Sequence, residues 1–246
     1  MKVTLEDLLR AGVHFGHLTR RWNPKMAPYI FMERNNIHII DLKKTLQHLQ
    51  VATEKIKEVV ARGEEVLFVG TKKQAKDILI AEATRCNMPY MTDRWLGGTL
   101  TNFATIKKSI RKLEQYEKME ADGTLEKMTK KERLQIHREI EKMKKVFIGI
   151  QEMKRLPGAL YVVDIVKEEI AVKEGIKLGI PIFAIVDTNC DPTMVDYPIP
   201  GNDDSTKSIG LITRVLTDAI LEAQATQKAK QEEEEQKAEK EEAPSS

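Results

Sequence analysis

The chain reads as an α/β protein built on one parallel sheet. Three observations predict this. Short runs such as residues 160–163 and 182–186 are apolar on both faces, as strands covered on both sides are. Amphipathic helical stretches alternate with those runs, which is the pattern of crossover connections. One charged stretch of heptad-like spacing, residues 104–153, interrupts the alternation and reads as an inserted antiparallel hairpin of helices.

Taken in order, Thr4 caps a short helix closed by Gly12. A segment rich in His, Arg and aromatic residues follows, and its prolines and glycines exclude a long helix. Residues 29–32 and 37–40 look like a small hairpin around Arg34, Asn35 and Asn36. Asp41 caps a long helix whose Leu42, Leu46, Leu49, Ile56 and Val59 share one broad face, and Gly63 ends it. Residues 66–69 form a strand that turns through Gly70-Thr71-Lys72-Lys73 into a helix. Residues 89–91 are a short edge strand, followed by a loop with paired Gly97 and Gly98.

In the inserted stretch, Phe103, Ile106, Ile110, Leu113 and Tyr116 mark one arm. Ile136, Ile140, Met143, Phe147 and Ile150 mark the other, after a Thr129/Glu132 capping box. Each arm of about 20 residues spans roughly 30 Å. The seams close on themselves, so the hairpin is expected to project and to be dispensable to the core. After Pro157-Gly158 come a strand at 160–163, a helix closed by Gly179, a strand at 182–186, a loop rich in Pro, Asp and Asn, and a strand at 197–199. A helix with Ile209, Ile212, Leu216 and Ile220 inward follows. The expected units are an α/β domain of residues 1–103 plus 154–227, the hairpin 104–153, and an acidic tail 228–246, disordered or a frayed helix. The most apolar runs belong in the middle of a sheet and short proline-flanked ones at its edges, which predicts the order 2-1-3-4-5.

The net charge of +2 conceals an uneven distribution. Residues 1–62 carry 11 basic and 6 acidic side chains, residues 104–153 carry 13 and 9, and residues 154–227 carry 7 and 11. Such polarity suits a protein with one face toward a polyanion. No stretch approaches the roughly 20 apolar residues of a membrane span, and the N-terminus lacks a signal-peptide core. Cys86 and Cys190 form no CxxC pair, consistent with a reducing compartment. A cytoplasmic location is expected.

Arg20, Arg21, Trp22 and Lys25 interleave cations for phosphates with a ring for stacking, as single-stranded RNA contacts do. Arg94-Trp95 repeats the pairing, although both tryptophans also suit core anchors. Lys72 and Lys73 stand where a strand enters a helix, and free amides there can hold a phosphate. Neither nucleotide-loop pattern, GxxxxGK[ST] or GxGxxG, is present. Lys107, Lys108 and Arg111 add cations to the first hairpin arm. His14 and His17 are a weak metal-ligand pattern and read better as polar positions in or beside a binding surface. No cofactor and no metal is expected.

Asp164, Asp187 and Asp191 offer an alternative, a magnesium-dependent phosphoester hydrolase, because the first two end adjacent candidate strands. No activated nucleophile accompanies them, and the expectation is that the protein is not an enzyme and takes no small-molecule substrate. A third reading is a coiled-coil adaptor that binds no RNA.

Five strings then carry a resemblance: GVHFGH (12–17), RRWNPKMAPYIF (20–31), DRWLGGTLTN (93–102), LYVVD (160–164) and FAIVDTNCDPTMVDYPIPGNDD (183–204). In that order they closely resemble the bacterial small-subunit ribosomal protein S-two family. The resemblance implies a flavodoxin-like domain carrying a coiled-coil hairpin. It also implies binding to small-subunit ribosomal RNA and a structural role in translation. The implied protein partners are neighbouring small-subunit ribosomal proteins and the large RNA-binding protein at the messenger platform, where the bacterium has one. Pro157-Gly158 stands where the family has proline followed by an acid.

Overall fold

The structure is a computed structural model. It describes residues 3–242, and their side chains apart from those of residue 127 and residues 230–242. Helix α1 (Leu5–Arg10) opens with a capping box in which Thr4 and Asp7 satisfy each other's backbone N–H. Strand β1 (Phe15–Leu18) leads into two 3-10 turns, Thr19–Arg21 and Pro24–Tyr29, then β2 (Ile30–Arg34) and β3 (Ile37–Ile40). Asn35 and Asn36, both at positive φ, make the tight turn of this hairpin. The three strands form their own antiparallel sheet in the order β1-β3-β2. The sequence reading foresaw the hairpin but not β1.

Helix α2 (Leu42–Ala61) starts at an Asp41 cap. Then follow β4 (Val66–Val69), α3 (Lys73–Arg85) and β5 (Tyr90–Met91). The long arm is α4 (Phe103–Ala121) and α5 (Lys130–Phe147), the latter capped by Thr129 and Glu132 as expected. The chain returns through β6 (Ala159–Val163), α6 (Glu169–Leu178), β7 (Ile182–Val186), β8 (Tyr197–Pro200) and α7 (Thr206–Glu242). The backbone therefore stays helical into the acidic stretch, as far as Glu242. The remainder of that stretch lies outside the described residues.

Strands β4 to β8 form one five-stranded, wholly parallel sheet in the order β5-β4-β6-β7-β8. Parallel strands buried on both faces need apolar residues at every position, and β4, β6 and β7 have no exposed residue. Alternation divides them between two cores. Phe68, Tyr161, Phe183 and Ile185 pack with α2, α3 and α7. Leu67, Val69, Leu160, Val162 and Ala184 pack with α6 and the arm.

The arm is joined to the core at its base. Ile106, Ile110, Leu113, Ile140, Phe147 and Ile150 belong to the second core, so the apolar seam does not close only on itself. Gly149 runs so close to the β5 edge that a Cβ there would overlap the Tyr90 carbonyl oxygen. Further out, exposed ion pairs link the two helices, Lys112 Nζ to Glu139 Oε1 at 2.5 Å and Lys144 Nζ to Glu117 Oε1 at 3.1 Å.

Candidate nucleic-acid interface and the polar cluster beneath it

The N-terminal basic segment is mounted on the carboxyl ends of the parallel strands. Thr188, just after β7, is the fixing point. Its hydroxyl accepts from the His17 N–H at 2.9 Å, and its carbonyl accepts from the Asn23 N–H at 2.8 Å. Gly16 permits this approach, because a Cβ there would lie 2.6 Å from the Thr188 methyl group. Asn23 in turn caps the second 3-10 turn through the Lys25 N–H.

On this mount Arg20 and Arg21 are exposed, and Trp22 is 39% exposed with its ring centroid 5.1 Å from that of His38. Lys25 is also exposed, and its ammonium pairs with Asp191 Oδ2 at 2.6 Å. That pairing is the main reason the Asp191 carboxyl is held below its usual range. Phe31, 70% exposed, and Met32, 47% exposed, add apolar surface on β2. His14 is half-buried against the Phe15 ring, and burial lowers its pKa.

Directly below lies a cluster of acids at the strand ends. Asp164 follows β6 in a left-handed backbone conformation (φ 70°), which Asp tolerates better than most residues. Its Oδ1 accepts from the N–H groups of Val166 and Lys167. Asp187 follows β7 and is 1% exposed, with Oδ1 accepting from the Thr188 N–H at 2.5 Å. Asp203, fully buried, and Asp204 lie in the loop before α7.

Lys72 and His17 meet these four carboxylates. Lys72 Nζ sits 2.9 Å from Asp164 Oδ2, 2.6 Å from Asp203 Oδ1 and 2.7 Å from Asp204 Oδ1. Burial works against its charge, but the Asp203 carboxylate and the hydrogen bonds to Asp203, Asp204 and Asp164 outweigh burial and raise its pKa. His17 Nδ1 lies 3.1 Å from Asp187 Oδ2, and Nε2 lies 3.3 Å from Asp204 Oδ2. The hydrogen bond to Asp187 raises the His17 pKa. Burial, with the nearby Asp187 and Asp164 charges, pushes Asp203 up to about 7.

This geometry corrects one expectation. Lys72 does not present its ammonium to a phosphate, because three carboxylates already surround it. The Gly70 turn reads locally as a free loop only because its acids come from two later segments of the chain, the turn after β6 and the loop before α7. Thr71 is held as well, donating from its N–H and hydroxyl to Glu168. Lys73, the first residue of α3, remains exposed.

The same geometry does not favour the hydrolase alternative. Asp191 caps a 3-10 turn and pairs with Lys25. It is in neither of the two groups of potential metal ligands found among the described residues, which are His17 with Asp187 and Asp203, and Asp164 with Cys190 and Asp203.

Sequence reasoning missed Glu174. On α6, its carboxylate accepts from the Trp95 indole N–H (3.1 Å), the Gly98 N–H (2.7 Å), and the Leu100 and Thr101 N–H groups (2.9 Å each). Burial opposes its ionisation, but these bonds outweigh burial and hold its pKa low. Trp95 is therefore a core anchor, 8% exposed, while Arg94 beside it is exposed. The signal was an acid placed between Ala171, Val172 and Gly175 on a buried helix face.

The remaining cations lie elsewhere. Lys107 and Arg111 line a groove of about 1020 Å³ beside Tyr90, at the opposite edge of the sheet from β8. Lys107 bonds the Lys154 carbonyl and lies 4.9 Å from the Phe103 ring centroid. Lys108 is exposed nearby on α4. The candidate residues thus include an N-terminal group and an arm group, with Lys73 at the start of α3 and Arg94 in the loop after β5 belonging to neither.

Comparison with known proteins places the chain in its family. The family model described as Ribosomal protein S2 matches residues 8–223. The chain is 59% identical over 227 residues to the small ribosomal subunit protein uS2 of Chloroherpeton thalassium, covering 92% of this chain and 91% of that one. It is 57% identical to the uS2 protein of Cytophaga hutchinsonii (92% and 89% covered) and 56% identical to that of Salinibacter ruber (94% and 72% covered). With that extent of match, laid over a parallel sheet that carries a basic N-terminal face, the chain belongs to the Ribosomal protein S2 family.

Proposed function

We propose that this chain is a structural constituent of the small ribosomal subunit, attached to small-subunit ribosomal RNA chiefly through its N-terminal basic face. The role is non-enzymatic, as befits the family. Its partners are ribosomal RNA and neighbouring ribosomal proteins, and among these we infer the large RNA-binding protein of the messenger platform. No described helix is long and apolar enough to cross a membrane.

One observation carries the choice of face: Arg20, Arg21 and Lys25 are exposed on a loop whose backbone is fixed to the sheet at Thr188. A fixed loop loses little conformational freedom when it meets a rigid phosphate array. Trp22, half-exposed beside them, offers a face for a splayed base or a sugar. Arg94, Lys73, and Lys107, Lys108 and Arg111 on the arm extend the contact. In this reading the flavodoxin-like sheet is the mount, and the coiled-coil arm, residues 104–153, is a second reach toward RNA or a neighbouring protein. Contacts to phosphate make the attachment salt-dependent and directed mostly by shape.

The test is the triple variant Arg20→Gln, Arg21→Gln, Lys25→Gln, titrated against small-subunit RNA at several salt concentrations. The expected result is an unchanged melting temperature and a salt-dependence slope lower by about two to three units. An unchanged slope in the folded variant would move the binding face to the arm.

A further inference from the structure

We infer that the turn at Gly97 is a point of close approach for a strand of small-subunit ribosomal RNA, met there by bare backbone and not by a side chain. The inference rests on the RNA-binding reading above and gives the loop after β5 a defined part in it.

The observation is a glycine that the chain itself does not require. A glycine in a folded protein usually answers one of two needs, a left-handed backbone or a neighbour too close for a Cβ. Gly98 answers the first, at φ 89°. Gly16 and Gly149 answer the second, against Thr188 and Tyr90. Gly97 answers neither. Its φ lies outside the left-handed region, and a Cβ built on it would meet no described atom within 4 Å. Among the chain's 13 glycines it alone has both properties, and it is exposed. It is the second residue of a turn closed by the Thr99 N–H on the Leu96 carbonyl at 3.0 Å. That position accepts most residues, and a side chain that fits would stabilise the fold by restricting the unfolded chain. The space left open therefore serves something outside the chain.

The turn is also held in place on both sides of Gly97. Before it, the Trp95 indole N–H donates to the Glu174 carboxylate. After it, the Gly98, Leu100 and Thr101 N–H groups do the same. A surface fixed in this way needs little ordering when a partner arrives.

The surroundings select an anionic strand. Arg94 is exposed, and the carboxylate of Asp93 beside it is engaged by Lys76. Thr101 and Asn102 are exposed beyond the turn, and the Asn102 side chain caps no backbone group. A guanidinium and neutral polar groups thus flank the bare backbone, while the Glu174 carboxylate is turned inward. Phosphate and sugar oxygens are the groups that such donors and close backbone contacts hold. The location agrees. β5 runs parallel to β4, β6 and β7, so the loop leaves the same end of the sheet at which Thr188 fixes the N-terminal segment. It then leads into α4, which bears Lys107, Lys108 and Arg111.

The experiment uses the full chain and small subunits stripped of it. Gly97→Gln adds bulk without charge. It should melt at or slightly above the wild-type temperature, yet bind stripped subunits about 10-fold more weakly, as an overfilled contact does. Gly97→Ala should lose less. Arg94→Gln should lower the salt-dependence slope by about 0.7–0.9. A Gly97→Cys variant carrying an iron chelate identifies what lies opposite, since Cys86 and Cys190 are buried and leave the added thiol as the one to label. Bound at saturation, it is expected to cut small-subunit RNA. The Arg20→Gln, Arg21→Gln, Lys25→Gln variant, measured alongside, tests the wider reading. If that variant weakens binding while folded Gly97→Gln binds as the wild type does, this inference falls and the wider reading stands. If neither weakens it, both this inference and the N-terminal face fall. Weakened binding by Gly97→Gln with no RNA cut from residue 97 would assign the turn to a protein neighbour and overturn the inference. Should Gly97→Gln not fold, Gly97→Ala decides by the same measures.

Discussion

The N-terminal face and the helical arm both carry basic charge into solvent, yet they are held in opposite ways. The face is fixed by buried polar groups, Thr188 and the Lys72–His17–aspartate cluster. Outside its base the two helices of the arm are linked by exposed ion pairs. A buried ion cluster is weak evidence for net stability, because desolvation offsets much of the attraction, but breaking it is expensive. Exposed pairs are nearly neutral either way. The first mounting specifies position sharply, and the second tolerates change.

The contrast should be largest for single lysines. Lys72→Met leaves three carboxylates without their cation and is expected to destabilise the protein by about 3–5 kcal/mol. Lys144→Met, which removes a partner of Glu117 on the arm, should change stability by less than about 1 kcal/mol. Chemical denaturation of both variants checks this, and comparable losses would erase the distinction between the two mountings.

Next in size is Glu174→Gln. The amide keeps one acceptor but turns an NH2 toward donors, at a cost of about 2 kcal/mol. The sign with pH follows from the lowered carboxyl pKa. Its contribution is full above the ordinary glutamate range and is lost as pH falls through the depressed value. The gap between wild type and variant should therefore be full at neutral pH and close in acid, as melting temperatures across pH would show. A gap that widened in acid would mean that the carboxylate is not the group being sensed.

The smallest effect is expected from shortening the arm. Replacing residues 114–139 by a short Gly/Ser link spares Ile106, Ile110, Leu113, Phe147 and Ile150, so the remaining domain should melt cooperatively near the original temperature. Removing all of 104–153 strips those side chains from the second core and should lower the midpoint substantially. Equal loss from both deletions would place the stabilising contacts in the outer arm.

How much of this was legible depended on how local each signal was. The strands announced themselves because a doubly covered strand has no polar positions, and β7 shows this over all five residues. The Thr4 cap and the Thr129/Glu132 capping box were legible because each involves partners within four residues. Lys72 was misread because its partners come from two later segments that only the folded sheet brings together. β1 was missed because Gly16 and its neighbours lack an apolar alternation, and the strand is specified by β3 and Thr188. Glu174 lay between these cases, visible as an anomaly on a buried face but with partners about 75 residues away.

Gly149 gives the arm a mechanical character. Where it passes Tyr90, its bare Cα leaves no room for a side chain against the Tyr90 carbonyl and ring. A side chain added at residue 149 is therefore expected to tilt the arm as a lever about that contact. Helix α5 has 18 residues, about 27 Å at the usual rise, while packed helices sit only about 8–10 Å apart. A wedge of 1 Å at the pivot is thus magnified about threefold at the tip. The lack of a side chain at residue 149 is thus expected to bear on where the outer charges of the arm point.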